Sequence, residues 1–179
     1  AISNFQSLPE VIALAEIPEY RYTETEIRQS LSLVLNGIQD PGNLGTILRV
    51  ADWFGIRYVF CDMDCAGAFS PKCVQASMGA VFRVKTIYTN LVGLLKKFSS
   101  PEFHCYGTFL NGENIYKTEL SAKGFIIMGN EGRGICPELE SCIDSKLTIP
   151  SFADSTYSTE SLNVGVATGI ILSEFKRNN

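Results

Sequence analysis

Histidine is almost missing: His104 is the only one in 179 residues. One imidazole leaves Ser-His-Asp and Cys-His hydrolase readings resting on a single residue, with no nucleophile-elbow motif to support it. The six cysteines (Cys61, Cys65, Cys73, Cys105, Cys136 and Cys142) contain no C-x-x-C pair. Zinc-ligand spacing is therefore absent, and no metal is expected. Reduced thiols packed as small hydrophobes fit better, as in a cytosolic protein. No apolar run approaches the roughly 18 residues of a membrane span. No charged-then-apolar leader opens the chain. A cytoplasmic protein without a membrane partner is the expectation.

What is present is the composition of one folded domain. Apolar residues make up 45% and charged residues 19%, which excludes a disordered chain. The length suits a single domain that needs no disulfide or metal staple. Net charge is −4, against a wholly electrostatic nucleic-acid binder. The distribution is uneven, however. Residues 1–30 hold five acids and two bases, whereas residues 65–101 hold Lys72, Arg83, Lys85, Lys96 and Lys97 and no acid. That stretch is the best candidate for a local basic surface, though lysines at element ends would look the same.

Residues 1–30 read as a tail: acidic, interrupted by Pro9 and Pro18, and too short to bury a core. The first residue is Ala1, which leaves open a removed initiator or a remnant of an upstream domain. From residue 31 to 179 strands and helices alternate. Leu31–Leu35, residues 57–61, 81–87, 103–109, Gly124–Met128 and 146–149 read as strands. Residues 43–54, 91–98, 137–142 and 160–176 read as helices, and another starts at Ser70-Pro71. Ser70 and Pro71 supply an N-cap and a first-turn proline. Such alternation implies an α/β domain with a mostly parallel sheet. The last helix carries Leu162, Val164, Val166, Ala167, Ile170, Ile171, Leu172 and Phe175 around most of its circumference. A surface helix would leave a polar stripe, so this one is expected to be covered on nearly all sides, in part by a partner subunit.

Three segments carry chemistry. Asn36 to Arg49 leaves a buried strand and turns through Asp40-Pro41-Gly42-Asn43-Leu44-Gly45 into a helix. Loops at the carboxyl ends of strands are where open α/β sheets bind ligands. Gly129-Asn130-Glu131-Gly132-Arg133-Gly134 follows another strand; it is neither a dinucleotide fingerprint nor a P-loop. Ile149-Pro150 leads through a polar loop to Ser161-Leu162-Asn163-Val164. Taken singly, each has an ordinary reading: a turn with a cap, a glycine turn with a solvated Glu, and a helix cap.

Together, in this order, the three segments resemble the motifs of the SpoU/TrmH family of SPOUT RNA methyltransferases, from about Leu33 to Phe175. The resemblance implies an α/β sheet with a deep C-terminal trefoil knot and a homodimer packed partly through the last helix. It implies S-adenosyl-L-methionine as cofactor and a ribose 2′-hydroxyl of tRNA or rRNA as methyl acceptor. Carried over by motif, the catalytic neighbourhood is Asn43, Arg49, Glu131, Ser161 and Asn163. Arg49 would activate the hydroxyl as a base, or hold a phosphate and stabilise a developing alkoxide. The latter suits a guanidinium that stays protonated in proteins. Cofactor contacts map to Thr108, Gly129, Ile149 and Leu162.

Two departures from the family pattern stand out. Ser151 takes the place of the usual methionine, and 12 residues separate Ile149 from Leu162, a longer loop than is usual. The extra residues, near Asp154 to Ser158, would line or occlude the cofactor pocket. Gly165 also replaces the usual serine. A catalytically inactive RNA-binding or assembly protein that keeps the fold is the alternative.

Overall fold

The computed structural model describes residues 14–153 and 160–177. The Asp154–Ser158 insertion, and with it the question of pocket occlusion, lies outside the described residues. The chain runs α1 (Glu24–Arg28), β1 (Leu31–Leu35), α2 (Pro41–Trp53), β2 (Tyr58–Cys61), α3 (Pro71–Ser77), β3 (Lys85–Tyr88) and α4 (Leu91–Phe98). It continues through β4 (His104–Asn114), β5 (Gly124–Met128), α5 (Pro137–Glu140), β6 (Ser145–Thr148) and α6 (Val164–Lys176). The six strands form one sheet in the order β3-β2-β1-β5-β4-β6, and every pair is parallel.

β1 shows why its apolar run is continuous. All five of its residues are buried. Leu33 and Leu35 face one core layer with Leu44, Ile47, Leu48, Ile171 and Phe175 of α2 and α6. Val34 faces the other, with Phe60, Leu94, Phe98, Phe125 and Leu139. A strand covered on both faces needs no alternation. Helices α2, α3 and α6 thus cover one face of the sheet, and α4 and α5 the other.

The composition-based tail boundary passes through packed structure. Thr23 caps α1 in a full capping box with Glu26, and Ile27 is completely buried. The Tyr22 ring meets Phe60 edge-on at 5.3 Å. Ala1 to Val11 and the two residues after it lie outside the described residues.

The expected strand over 81–87 is only half right. Met78 (φ 49°) and Gly79 (φ 83°) both take left-handed backbone, ending α3 and starting a 3-10 turn over Ala80–Phe82. Val81 and Val84 plug the core from that turn, and β3 begins at Lys85. Apolar residues in a plug and in a strand look alike in sequence. The last helix begins at Val164, not 160, because Asn163 caps it through Gly165 N (2.9 Å) and Val166 N (3.3 Å). Pro71 opens α3 as expected, but the Ser70 hydroxyl makes no capping bond.

The final helix is not covered all round by its own chain. Val164, Gly165, Thr168, Ile171, Leu172 and Phe175 face the core, while Val166 stays 53% exposed. Beside it on α2, Trp53 is 86% exposed.

Candidate functional site

The carboxyl ends of β1 and β5 lie side by side, so the loops after them meet: Asn36 N donates to Met128 O at 2.9 Å. The loop after β1 enters α2 through Asp40, whose side chain accepts from Asn43 N. Pro41 fits the first turn because its missing N–H is not needed there. Lys72 bridges to Asp40 at 2.6 Å, and this ammonium holds the Asp40 carboxyl below its ordinary range, aided by the Asn43 N–H.

The loop after β5 is built by Asn130. Its Nδ2 donates to Gly37 O (2.7 Å), and its Oδ1 accepts from Gly132 N and Arg133 N. Gly129 is required by close approach: a Cβ there would sit 2.4 Å from the Gly134 carbonyl carbon. The loop presents Glu131 across from α2.

There the three segments join. Asn43 Nδ2 donates to Glu131 Oε1 at 2.6 Å, and Asn163 Nδ2 donates to Asn43 Oδ1 at 2.9 Å. Partners 88 and 120 residues apart in sequence form one hydrogen-bond chain. Asn163 also caps α6 through its Oδ1, so the chain runs from that helix start to a carboxylate. Each amide spends one donor and its acceptor within the chain and is thereby fixed in orientation.

The other expected site residues are placed as follows. Ser161 lies exposed two residues before Asn163. Arg49 is exposed farther along α2 and makes no hydrogen bond or ion pair among the described residues. It lines a cavity of about 360 Å³ with Thr46, Val50, Trp53 and Phe54, apart from the Asn43–Glu131–Asn163 chain. Gly129 and Ile149 lie just past the ends of β5 and β6, and Thr108 lies inside β4, between those two strands, as the last residue paired before a bulge. The Thr108 hydroxyl donates to Ile127 O at 3.0 Å. A bulge between Thr108 and Glu113 takes Phe109 to Gly112 out of the β4–β6 ladder. Leu110 there is 70% exposed and Leu162 47% exposed. Bare backbone beside exposed apolar side chains suits a flat heteroaromatic ring with polar edges.

Four of the five cations in the basic stretch have partners, and Lys96 is exposed with none among the described residues. Lys72 pairs with Asp40, Arg83 with Asp52 and Lys97 with Glu24, while Lys85 reaches the Tyr58 hydroxyl. The acids come from other segments, which a count along the sequence cannot show.

Thiol nucleophiles are disfavoured physically. Burial pushes Cys73 up to about 11 and Cys105 up to about 12. Cys61 is also raised, by its contact with Cys65 and by burial. Among the described residues no group of three or more His, Cys, Asp or Glu side chains is placed to hold a metal. No helix among the described residues is long and apolar enough to cross a membrane.

Sequence reasoning passed over Asn36 and Asp62 as site-building residues. Asn36 Nδ2 donates to Asp62 Oδ2 at 2.6 Å, and Asn36 Oδ1 accepts from Cys136 N at 2.8 Å. Asp62 Oδ1 accepts from the backbone of Gly37, Asp64 and Cys65. The only sequence signal was position: each lies just past the end of a buried strand.

Residues 30–173 match the model of the SpoU rRNA methylase family. The chain is 29% identical over 173 residues to the Bacillus subtilis 23S rRNA (guanosine(2553)-2′-O)-methyltransferase RlmP, covering 96% of this chain and 66% of that protein. It is 34% identical over 149 residues to the Neisseria meningitidis 23S rRNA (guanosine-2′-O-)-methyltransferase RlmB, covering 82% of this chain and 58% of that one. The chain thus spans about three fifths of the length of these relatives. Among solved structures, a TrmH-family chain from Porphyromonas gingivalis superposes with a TM-score of 0.79 at 46% identity, covering 86% of this chain and 61% of that one. The AdoMet-bound rRNA methyltransferase of Sinorhizobium meliloti superposes with a TM-score of 0.76 at 30% identity, covering 89% and 62%.

Proposed function

The chain belongs to the SpoU rRNA methylase family, and from that premise we propose that it transfers a methyl group from S-adenosyl-L-methionine to a ribose 2′-hydroxyl of RNA. A guanosine of ribosomal RNA is the first candidate, in keeping with the names of the relatives, and tRNA the second. The observation that carries this reading is the chain Asn163–Asn43–Glu131, which joins the three motif segments in one polar centre. An inactive RNA-binding protein would have no use for so constrained a set of amides beside a carboxylate.

When bound, the cofactor supplies an activated methyl group, so the protein's work is to align and activate the acceptor. Thr108, Gly129, Ile149 and Leu162, with the exposed bulge around Leu110, would hold it between the bulge of β4 and the ends of β5 and β6. We assign the trefoil knot to this same stretch. Glu131 Oε2 has no hydrogen-bond partner among the described residues and is placed to accept from the ribose. Asn43 holds that carboxylate in position. Ser161 and Asn163 shape the substrate side. Arg49 would hold a phosphate through its guanidinium and stabilise developing negative charge on the oxygen.

Assembly belongs to the same reading. Val50, Trp53 and Val166 leave an apolar surface where α2 and α6 run together, and a second copy is its proposed cover. Arg49 borders that surface, so assembly and chemistry are coupled. The protein is proposed to work in the cytoplasm, in keeping with six free thiols.

Calorimetric titration with S-adenosyl-L-methionine, with ATP as control, tests the cofactor. Selective binding near micromolar affinity, about −8 kcal/mol, is expected. Methyl incorporation into ribosomal RNA then tests the reaction. Arg49→Ala is expected to lose at least about 100-fold in turnover, the scale of losing one charge-stabilising group, with cofactor affinity unchanged. Full turnover by that variant would remove Arg49 from the assignment.

A further inference from the structure

On the opposite face of the sheet from α2 and α6, a second cavity of about 330 Å³ opens at the carboxyl ends of β1, β2 and β3. Its lining includes Asn36, Asp62, Met63, Thr89, Asn90 and Leu139. We propose that this cavity receives the guanine base of the nucleotide whose ribose is methylated. The inference rests on the ribose methyl transfer proposed above and adds to it the site that selects the base.

Position comes first. Asn36 lines the cavity, and the next residue, Gly37, accepts from Asn130, the neighbour of Glu131. Cavity and polar centre are therefore two sides of one pair of crossed loops. In a nucleotide the base and the 2′-hydroxyl are separated only by the sugar ring. A base set into the cavity would leave its ribose at those loops.

Chemistry narrows the occupant. The Asp62 carboxylate disfavours a phosphate and favours a group with N–H donors. Oδ1 of Asp62 is filled by three backbone N–H groups, whereas Oδ2 takes only Asn36 Nδ2 and keeps a lone pair. Asn90 uses Oδ1 to cap α4 through Gly93 N at 2.9 Å, which leaves its Nδ2 free to donate. The Thr89 hydroxyl makes no hydrogen bond among the described residues. One carboxylate acceptor beside two free donors complements guanine, which offers N1–H and N2–H₂ as donors and O6 and N7 as acceptors. Adenine and cytosine lack that adjacent pair of donors for a carboxylate. Met63, 79% exposed, and Leu139 supply a thioether and an apolar wall for the ring faces. The volume lies at the low end of the ~300–1,000 Å³ of small-molecule sites, which suits a single base better than a dinucleotide.

Only three methionines occur, Met63, Met78 and Met128, so ¹³C-methyl labelling gives a direct reporter in the full chain. Titration with 5′-GMP is expected to shift the Met63 methyl signal and leave Met78 in place. Binding should be at least fivefold tighter than for 5′-AMP or 5′-CMP, and inorganic phosphate should produce no shift. Asn90→Asp keeps the cap on α4 and replaces the free donor with an acceptor. It should weaken GMP at least fivefold with unchanged melting temperature and unchanged S-adenosyl-L-methionine affinity. Thr89→Val is expected to act in the same direction. Equal affinity for all nucleotides, a response to phosphate alone, or indifference to both substitutions would overturn the proposal. A sample that binds S-adenosyl-L-methionine but gives no Met63 response to GMP overturns the cavity alone. One that binds GMP at Met63 but no S-adenosyl-L-methionine overturns the methyl transfer and keeps the guanine site.

Discussion

Gly165 carries no side chain, and its neighbours explain why. A Cβ at Gly165 would lie 2.8 Å from Thr46 Cγ2 and 3.2 Å from Asn163 Oδ1. Thr46 cannot give way easily: it is branched at Cβ, and its hydroxyl donates to Gly42 O at 2.9 Å. The two positions share one space between α2 and α6. Gly165→Ala alone is expected to cost about 1–3 kcal/mol by overpacking. In a Thr46→Ala background the same change should cost less, since the Cγ2 contact is gone while the Cβ of residue 46, 3.2 Å away, remains. Denaturant melts of the four proteins in this double-mutant cycle give the coupling; additive costs would show that the space is not shared. The glycine was readable in sequence, whereas its cause, a methyl group 119 positions away, was visible only after folding.

At the scale of elements, the strands β1 and β5 and the helix α4 could be placed to the residue from pattern alone. Continuous apolar runs and a strong amphipathic stripe are local signals. The 81–87 segment failed because burial there serves a turn, and the start of α6 failed because capping depends on which side chain reaches the free N–H groups. Asn163 is the instructive case, since one side chain caps α6 and also donates to Asn43. The two roles can be separated. Asn163→Asp keeps a capping oxygen but loses the donor, so its melting temperature should match the parent while methyl transfer falls. Asn163→Ala loses both roles and should also cost about 1 kcal/mol of stability. If the aspartate variant transferred methyl groups at the parent rate, the Asn163–Asn43 bond would have no part in the site. The motif residues were legible because they cluster in sequence. Asn36, Asp62 and Asn90 were not, because what joins them is a shared cavity.

For the whole molecule, the argument turns on uncovered apolar surface. The girth of α6 led to the expectation of burial on nearly all sides, and one chain leaves Val166 and Trp53 open instead. Tryptophan is costly to leave in water and is enriched at the centres of interfaces. Thr46 approaches Gly165 and Val50 approaches Gly169, so α2 and α6 run alongside each other toward Trp53 and form one surface. A homodimer using it would also enclose Arg49, which borders the same surface. Sedimentation of the parent chain at micromolar concentration should give a dimer. Trp53→Glu places an unpaired charge at the proposed seam, and burying that charge costs several kcal/mol unless the subunits separate. The variant should sediment as a folded monomer, with its far-ultraviolet circular dichroism retained and methyl transfer reduced. S-adenosyl-L-methionine affinity reports separately on whether the β4 bulge and the ends of β5 and β6 depend on the second copy. A parent chain that stays monomeric, or a variant that stays dimeric, would move the seam elsewhere and leave Trp53 for another partner.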